Sequence, residues 1–527
     1  MHYAEQIWEE VRRYKRDVPK DAGEQTKRVQ AQDGVILAAL RLVAEHVSKL
    51  NSEPRYGNNP PCALVVGGFV RDAVSGSFPK DADMEVYGVD PVVLEELLSK
   101  LFPGELRKVG RSFEILKVSL APGVFLEVQV PHGEERGSEL SLAGSDPSIS
   151  PEHAARFRDF TINTLAYDPL HCRVFDFCGG LADLSANILR VTNPKIFASN
   201  PNQVFRGAQF AARLKLKPDE DSFAVMRKLV AENALASIHL QRITDELVKL
   251  FLRAEKPALG LDLLEALGVI GKHYPEFAPD EKTWIDTLVT VDRTAHRLAR
   301  ANLPSREQVT VMFAALCSQL TKNIAAGETA NIAAKVRGVL QRFTLPTIGM
   351  AAVIAMVVHL KLVGEICKGA GDQGKQQPPQ PAKRGAPARL FPGGIARNRP
   401  QKNNRKHELE AFLERIYPAT WEQIRVVYEG SRVGGSDAGI GQALDGISAE
   451  LESFSLTNLP RKGLLQPEDI VKRFSLGRGP HVGYILGAVE ARRYELVTKE
   501  NALRFLEENI EVILKEAKEA IEGGGSE

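Results

Sequence analysis

The chain has 527 residues, 43% hydrophobic and 26% charged, with a formal net charge of +1. That length holds several domains of roughly 100–200 residues each, and the composition is that of a globular protein with ample apolar material for a core. The near-zero charge excludes a global basic field, so any nucleic-acid contact has to come from local patches. Five cysteines, Cys62, Cys172, Cys178, Cys317 and Cys367, form no CxxC pair, which excludes a disulfide framework or zinc site on spacing and points to a reduced, cytoplasmic protein. The first residues lack the apolar run of a signal peptide. The longest apolar stretch, Met350 to Val363, carries His359 and Lys361 and falls short of the ~20 residues a membrane span needs, so no membrane association is expected.

Residues 1–33 are polar, with a helix and an irregular lead-in expected. Gly34 to Leu50 places Ile36, Leu37, Leu40, Val43 and Val47 at helical spacing, an amphipathic helix. From residue 62 the texture changes. Short β-rich runs, Ala63–Val66, Met84–Val86, Ile115–Leu120, Val124–Val130 and Arg173–Phe177, alternate with helix-like pieces such as Pro91–Leu101. Beyond about residue 200 the pattern is helical throughout: Val204–Leu214, Phe223–Val230, Ile243–Phe251, Leu261–Leu267 and Val309–Leu320. Residues 368–406 interrupt it, with ten Lys/Arg against one acid, Asp372, among many Pro, Gly and Gln. Such a segment buries too little apolar area to offset its ordering entropy and reads as a flexible linker, or as a tether for RNA phosphates. Helices resume at Glu408.

The chemistry concentrates between residues 65 and 85. A β run, Val65-Val66, enters Gly67-Gly68, and Phe69-Val70-Arg71-Asp72 opens a short helix that Gly76 is placed to end. The glycines allow a phosphate to approach the backbone, and Arg71 adds a fork-shaped cation. Asp81 and Asp83 follow. Two apart on a strand, they project to one face and can share hard cations through oxygen. Metal-assisted phosphoryl and nucleotidyl transfer needs that arrangement. A third carboxylate is expected from a neighbouring strand; Glu127 is the candidate, and Glu85, on the Asp81/Asp83 face, competes with it.

The whole segment resembles the head domain of the class II tRNA nucleotidyltransferase and poly(A) polymerase family. Arg158-Asp159-Phe160-Thr161-Ile162-Asn163 looks like its RRDFTIN motif, continued by Leu165-Ala166-Tyr167-Asp168. Asp176-Phe177-Cys178-Gly179-Gly180-Leu181-Ala182-Asp183-Leu184 is similar to its hinge-like motif joining head and neck. Phe205 to Leu214 resembles its neck helix, and Leu464 to Leu503 its C-terminal domain. The resemblance implies an α+β nucleotidyltransferase head followed by all-α neck, body and tail domains. It also implies Mg2+ held by Asp81 and Asp83, and addition of nucleotides from ATP or CTP to the 3′ end of tRNA or another structured RNA. Gly67, Gly68, Arg71, Asp72, Arg158, Asp159, Asn163, Asn200, Gln203 and Arg206 are the nucleotide-binding positions it implies.

Two departures stand out. Where the family's neck carries Glu-Asp-x-x-Arg to pair with the base, this chain has Ser199-Asn200-Pro201-Asn202-Gln203. Neutral amides offer both donors and acceptors, so base readout is altered, and CCA addition, poly(A) synthesis or another nucleotide stay open. The frames Trp284–Leu288 and Phe313–Leu320 look like those of an HD phosphohydrolase, yet Asp286 and Cys317-Ser318 stand where its His and His-Asp belong. That region reads as structural, and His359 as a core residue. Arg206, Arg213, Lys215 and Lys217 form a basic edge, suited to phosphates or to a solvated helix face. The expected domains are an N-terminal extension (1–50), catalytic head (51–197), neck (198–275), HD-like domain (276–366), basic linker (367–406) and RNA-binding tail (407–527). Rival readings are a catalytically silent RNA-binding protein and a transferase acting on a protein or small molecule.

Overall fold

The computed structural model describes residues 34–52, 60–77, 79, 81–109, 115–134, 142–322, 324, 328–373, 401–432, 438–454, 456, 464–477, 479–490, 492, 496 and 498–523. The chain divides after Ile238 into two compact units, a point inside the expected neck 198–275. The expected helix within residues 1–33 lies outside the described residues.

The first unit opens with the helix Gly34–Lys49, whose Ile36, Leu37, Leu40, Val43, Ala44 and Val47 are buried at helical spacing. Strands follow as β1 (Cys62–Val66), β2 (Asp81–Tyr87), β3 (Leu106–Val109), β4 (Ile115–Ala121), β5 (Val124–Gln129), β6 (His132–Glu134), β7 (Leu142–Ser145), β8 (Leu165–Asp168) and β9 (Arg173–Asp176). Seven of them build one sheet in the order β3-β4-β5-β2-β1-β8-β9. Neighbours run antiparallel except β2 and β5, which run parallel. The mixed sheet with helices confirms an α+β head.

Period-two alternation sorts the sheet's faces. Ala82, Met84 and Val86 of β2 join Ala63, Val65, Leu126 and Val128 in a core closed by the helices Gly34–Lys49 and Pro91–Leu101. Asp90 caps the second helix by accepting from the Val92 amide at 2.9 Å, with Pro91 at the first helical position. The alternate residues, Asp81, Asp83, Glu85 and Tyr87, therefore face the other way, as do Leu64 and Val66.

Some strands were not legible beforehand. β3 reads Leu-Arg-Lys-Val, a polar edge strand without a hydrophobic pattern. β2 begins three residues before the apolar run suggested, because its first positions are acidic on the solvent side.

After β9 the unit is mostly helical, with Gly180–Ala186, Pro194–Ser199, the neck helix Gln203–Leu214 and Glu220–Ala231, and one short parallel pair of strands, Ile188–Leu189 with Lys217–Pro218. The second unit is all helix among its described residues, arranged around the long helix Thr347–Gln373. That helix packs against Ser305–Cys317, Thr329–Leu340, Gln401–Ile416, Trp421–Ser431, Ala438–Ser453 and Pro480–Glu490. It corrects two expectations. Its Thr347–Cys367 stretch is long and apolar enough to cross a membrane by length and composition, longer than the Met350–Val363 run, but it is mostly buried within the protein. The helix also extends to Gln373, and the next starts at Gln401, which shortens the expected linker 367–406 from both ends. Residues 374–400 lie outside the described residues.

Candidate active site on the open face of the head sheet

β1 runs into Gly67, whose φ of 66° lies in the left-handed region that favours glycine. Its amide donates to the Leu165 carbonyl at 3.2 Å, fixing the turn against β8. A Cβ there would sit 3.0 Å from Nη1 of Arg158, so conformation and a close neighbour both require glycine. The helix Gly68–Val74 follows and stops at Gly76, φ 83°, as expected.

β2 then carries Asp81 and Asp83, both exposed, onto the face whose other end is covered where Leu64, Val66 and Tyr87 pack with Ile149, Ala154 and Phe157. Val66 of β1 is the register partner of Asp83 on one side, and Glu127 of the parallel β5 is its partner on the other. The two candidates for a third carboxylate are now separable. Glu85 is buried and fully engaged: Arg158 Nη2 donates to it at 2.6 Å, the Tyr87 hydroxyl at 2.6 Å and Gln129 Nε2 at 3.4 Å. Glu127 is half-buried beside Asp83, with Lys117 Nζ 2.9 Å from its carboxylate. The side chains of Asp81 and Asp83 accept no hydrogen bond from a described residue.

The Asp83 carboxyl is pushed up to about 6, first by loss of hydration and then by the negative charge of Glu127, with Arg158 opposing and Glu85 and Asp81 adding to the rise. Asp83 still presents accessible surface on one side. Crowding by surrounding head atoms, rather than full enclosure, strips its water.

The remaining head positions expected to meet nucleotide are bonded to one another. Arg71 is 3% exposed. Its Nε donates to Asp72 Oδ1 at 2.8 Å and its Nη1 to Asn163 Oδ1. Asn163 Nδ2 donates to Asp159 Oδ1 at 2.7 Å, and the same oxygen takes the Phe160 amide at 2.8 Å. Asp159 Oδ2 accepts from Arg206, and Asp72 Oδ2 from Arg213. Arg206 and Arg213 thus pair with carboxylates of the head, while Lys215 and Lys217 of the same basic edge are exposed. Phe210 lies between, with the guanidinium carbons of Arg71 and Arg206 at 4.8 and 5.2 Å from its ring centre. Sequence reasoning had no signal for Phe210, which looked like one more apolar residue of the neck helix.

At the base end, Asn200 is exposed and ends the helix Pro194–Ser199, and its carbonyl takes the Gln203 amide at 3.0 Å. The side-chain oxygens of Asn202 and Gln203 are buried without a hydrogen-bond partner. Such acceptors are costly unless something donates to them.

In the second unit, Asp286 pairs with Lys322 at 2.8 Å, Ser318 donates to the Ala315 carbonyl at 2.8 Å, and Cys317 is fully buried, which pushes its thiol far up. An ammonium occupies the position beside the one carboxylate of that frame. Among the described residues no group of three or more His, Cys, Asp or Glu is gathered for a metal.

Residues 63–190 match the poly A polymerase head domain, and residues 215–281 the probable RNA and SrmB-binding site of polymerase A. The multifunctional CCA protein of Xylella fastidiosa strain M12 is 29% identical over 273 residues, 49% of this chain and 62% of that protein. That of Pasteurella multocida strain Pm70 is 30% identical over 282 residues, 50% of this chain and 63% of that protein. The chain thus spans about three fifths of the length of the relatives it matches. Among solved structures, an apo CCA-adding enzyme superposes with a TM-score of 0.54 at 18% identity, covering 90% of this chain and 96% of the other. A Thermotoga maritima CCA-adding enzyme complexed with tRNA gives 0.51 at 17% identity, covering 94% and 98%. These two likenesses establish the fold. Residues 63–281 thus carry a likeness to the poly A polymerase head domain, to its probable RNA-binding site and to the multifunctional CCA proteins.

Proposed function

We propose that this protein is a template-independent RNA nucleotidyltransferase that adds nucleotides from ATP or CTP to the 3′ end of a structured RNA, tRNA first among them, releasing pyrophosphate. The observation that carries the reading is the pair Asp81 and Asp83, side by side and exposed on one sheet face next to a glycine floor, with Glu127 in register.

The donor set suits Mg2+. That ion takes one or two carboxylates and completes its shell with water and phosphate oxygens, so a third gathered protein ligand is not required. Asp81 and Asp83 would hold it, and their crowding is relieved by a cation. When bound, Mg2+ supplies charge neutralisation for the triphosphate and acidifies the attacking hydroxyl. The chain's own residues do the positioning. Gly67 and Gly68 leave room for a phosphate, and Arg158, anchored on Glu85, lies against that floor. Arg71, Asp72, Asp159 and Asn163 hold the floor's shape rather than touch phosphate. Asn200 and Gln203 stand with neutral amides at the positions the resemblance assigns to the base, and each amide offers both a donor and an acceptor. Cytosine and adenine both offer an exocyclic amino group, so selection between them is weak. Five unpaired cysteines favour a reducing compartment such as the cytoplasm.

The test is extension of RNAs with and without a terminal CCA, in Mg2+, with each labelled nucleoside triphosphate. Wild type extends an RNA, and Asp81→Ala and Asp83→Ala lose extension by at least about 100-fold, since each removes a charge-stabilising group. Undiminished extension by both variants refutes the assigned roles. A wild type that binds RNA yet extends none with any nucleotide supports the silent-binder reading, for which the neutral neck speaks.

A further inference from the structure

We propose that Phe210 and Arg213 of the neck helix are positioning residues for nucleotide binding, acting on the glycine floor through Arg71 and Asp72. The inference rests on the reading of Asp81 and Asp83 as the catalytic pair. Arg206, Phe210 and Arg213 are spaced four and seven along one helix and so share a face. On that face two carboxylates each bridge neck and head. Asp159 takes Arg206 on one oxygen and Asn163 with the Phe160 amide on the other. Asp72 takes Arg213 on one oxygen and Arg71 on the other. Arg71 and Asn163 join the two halves. Phe210, 4% exposed, closes the circuit by lying against both Arg71 and Arg206, edge-on to Phe160 at 5.8 Å.

This closed ring lies directly behind the floor. A Cβ at Gly68 would meet Arg71 Nη2 at 3.6 Å, and one at Gly67 the Asn163 carbonyl at 3.9 Å. The buried Arg71 guanidinium of this ring therefore stands beneath the place a triphosphate would occupy. In a low-dielectric setting such a charge attracts phosphate strongly, provided its position is fixed. The Phe210 ring fixes it, because a cation held over an aromatic face in a desolvated site is attracted by the ring quadrupole. Neither Phe210 nor Arg213 needs to touch substrate.

The experiment separates KM for the nucleotide from KM for RNA in the full-length protein. Phe210→Leu raises the nucleotide KM about tenfold, the loss expected from releasing one desolvated cation–π contact, and leaves the RNA KM within about twofold. Phe210→Tyr, which keeps the π face, restores it. Met226→Ala is the control: Met226 is fully buried on the adjacent helix, outside the ring, and its loss lowers the melting temperature without moving the nucleotide KM. If Phe210→Leu fails to fold, Arg213→Gln serves in its place with Arg213→Lys as the rescue. A wild-type nucleotide KM in Phe210→Leu, or an equal rise in Met226→Ala, overturns the proposal. A wild type that extends no RNA refutes the underlying function instead, so the two failures are told apart.

Discussion

Asp83 shows what the proposed catalytic pair costs the free protein. Its carboxylate shares one face with Asp81, Glu85 and Glu127, and only Glu85 and Glu127 have a cation within bonding distance. Uncompensated like charges oppose folding, and their relief by a divalent ion favours it. In chelator at pH 7, Asp83→Asn is expected to melt higher than wild type by about 1–2 °C, a figure already reduced for solvent screening. Adding Mg2+ at 100 times its Kd is expected to stabilise wild type by about 2.7 kcal/mol and leave the variant unmoved. Thermal melts with and without the ion check both. A variant that responds to Mg2+ like wild type would remove Asp83 from the metal site.

Among the elements, the hinge-like segment after β9 is held by a backbone-to-backbone approach. A Cβ at Gly180 would lie 2.3 Å from the Thr161 carbonyl oxygen, and the Gly180 amide donates to Asp176 at 2.7 Å. No rotamer change relieves that clash. Gly180→Ala should cost about 3 kcal/mol of stability, the upper range for overpacking, and shift Thr161 to Asn163, measurable as a lower denaturation midpoint. In the helical unit, Arg342 donates to the His273 carbonyl at 2.6 Å, pairs with Glu276, and lies 5.5 Å from the Tyr274 ring centre. Burial alone would raise the Glu276 carboxyl, but Arg342 holds it below its ordinary 4.5. The unfolded chain therefore binds more protons as pH falls through this window, so the pair stabilises above 4.5 and the contribution fades on acidification through the folded value. Arg342→Ala is expected to lose about 1 kcal/mol at pH 7 after screening. Denaturant titrations of both proteins should converge partway toward pH 3, the carbonyl bond and ring contact keeping a residual gap.

For the whole molecule, a formal net charge of +1 limits how much non-specific attraction RNA can feel. On the proposed function, binding then depends on a few local phosphate contacts. Raising salt from 50 to 200 mM should weaken RNA binding on the order of tenfold, far less than the 10³–10⁵ of proteins making six to ten phosphate contacts. Filter binding across that salt range decides it, and no salt dependence at all would exclude phosphate contacts as the source of affinity.

Much of the head was legible in the chain itself. Strong local signals, namely a β run ending in two glycines, acids two apart and an amphipathic helix before them, depend only on backbone periodicity, and each appears where its pattern put it. The polar edge strand β3 was not legible, because its pairing with β4 comes from the sheet and not from its own side chains. Partner choice was equally hidden. Arg71, Asp72, Asp159, Asn163 and Arg206 read as nucleotide-binding positions with no sign of the bonds among them, and Glu85 competed with the candidate Glu127. Only the folded chain brings Arg158 to Glu85, across 73 positions, and Arg213 to Asp72, across 141. The sequence by itself determined which groups the site has and on which face they stand, since alternation along a strand is local. Which charges are neutralised by neighbours and which stay open to solvent was decided by tertiary packing, because charge pairing depends on distance in space.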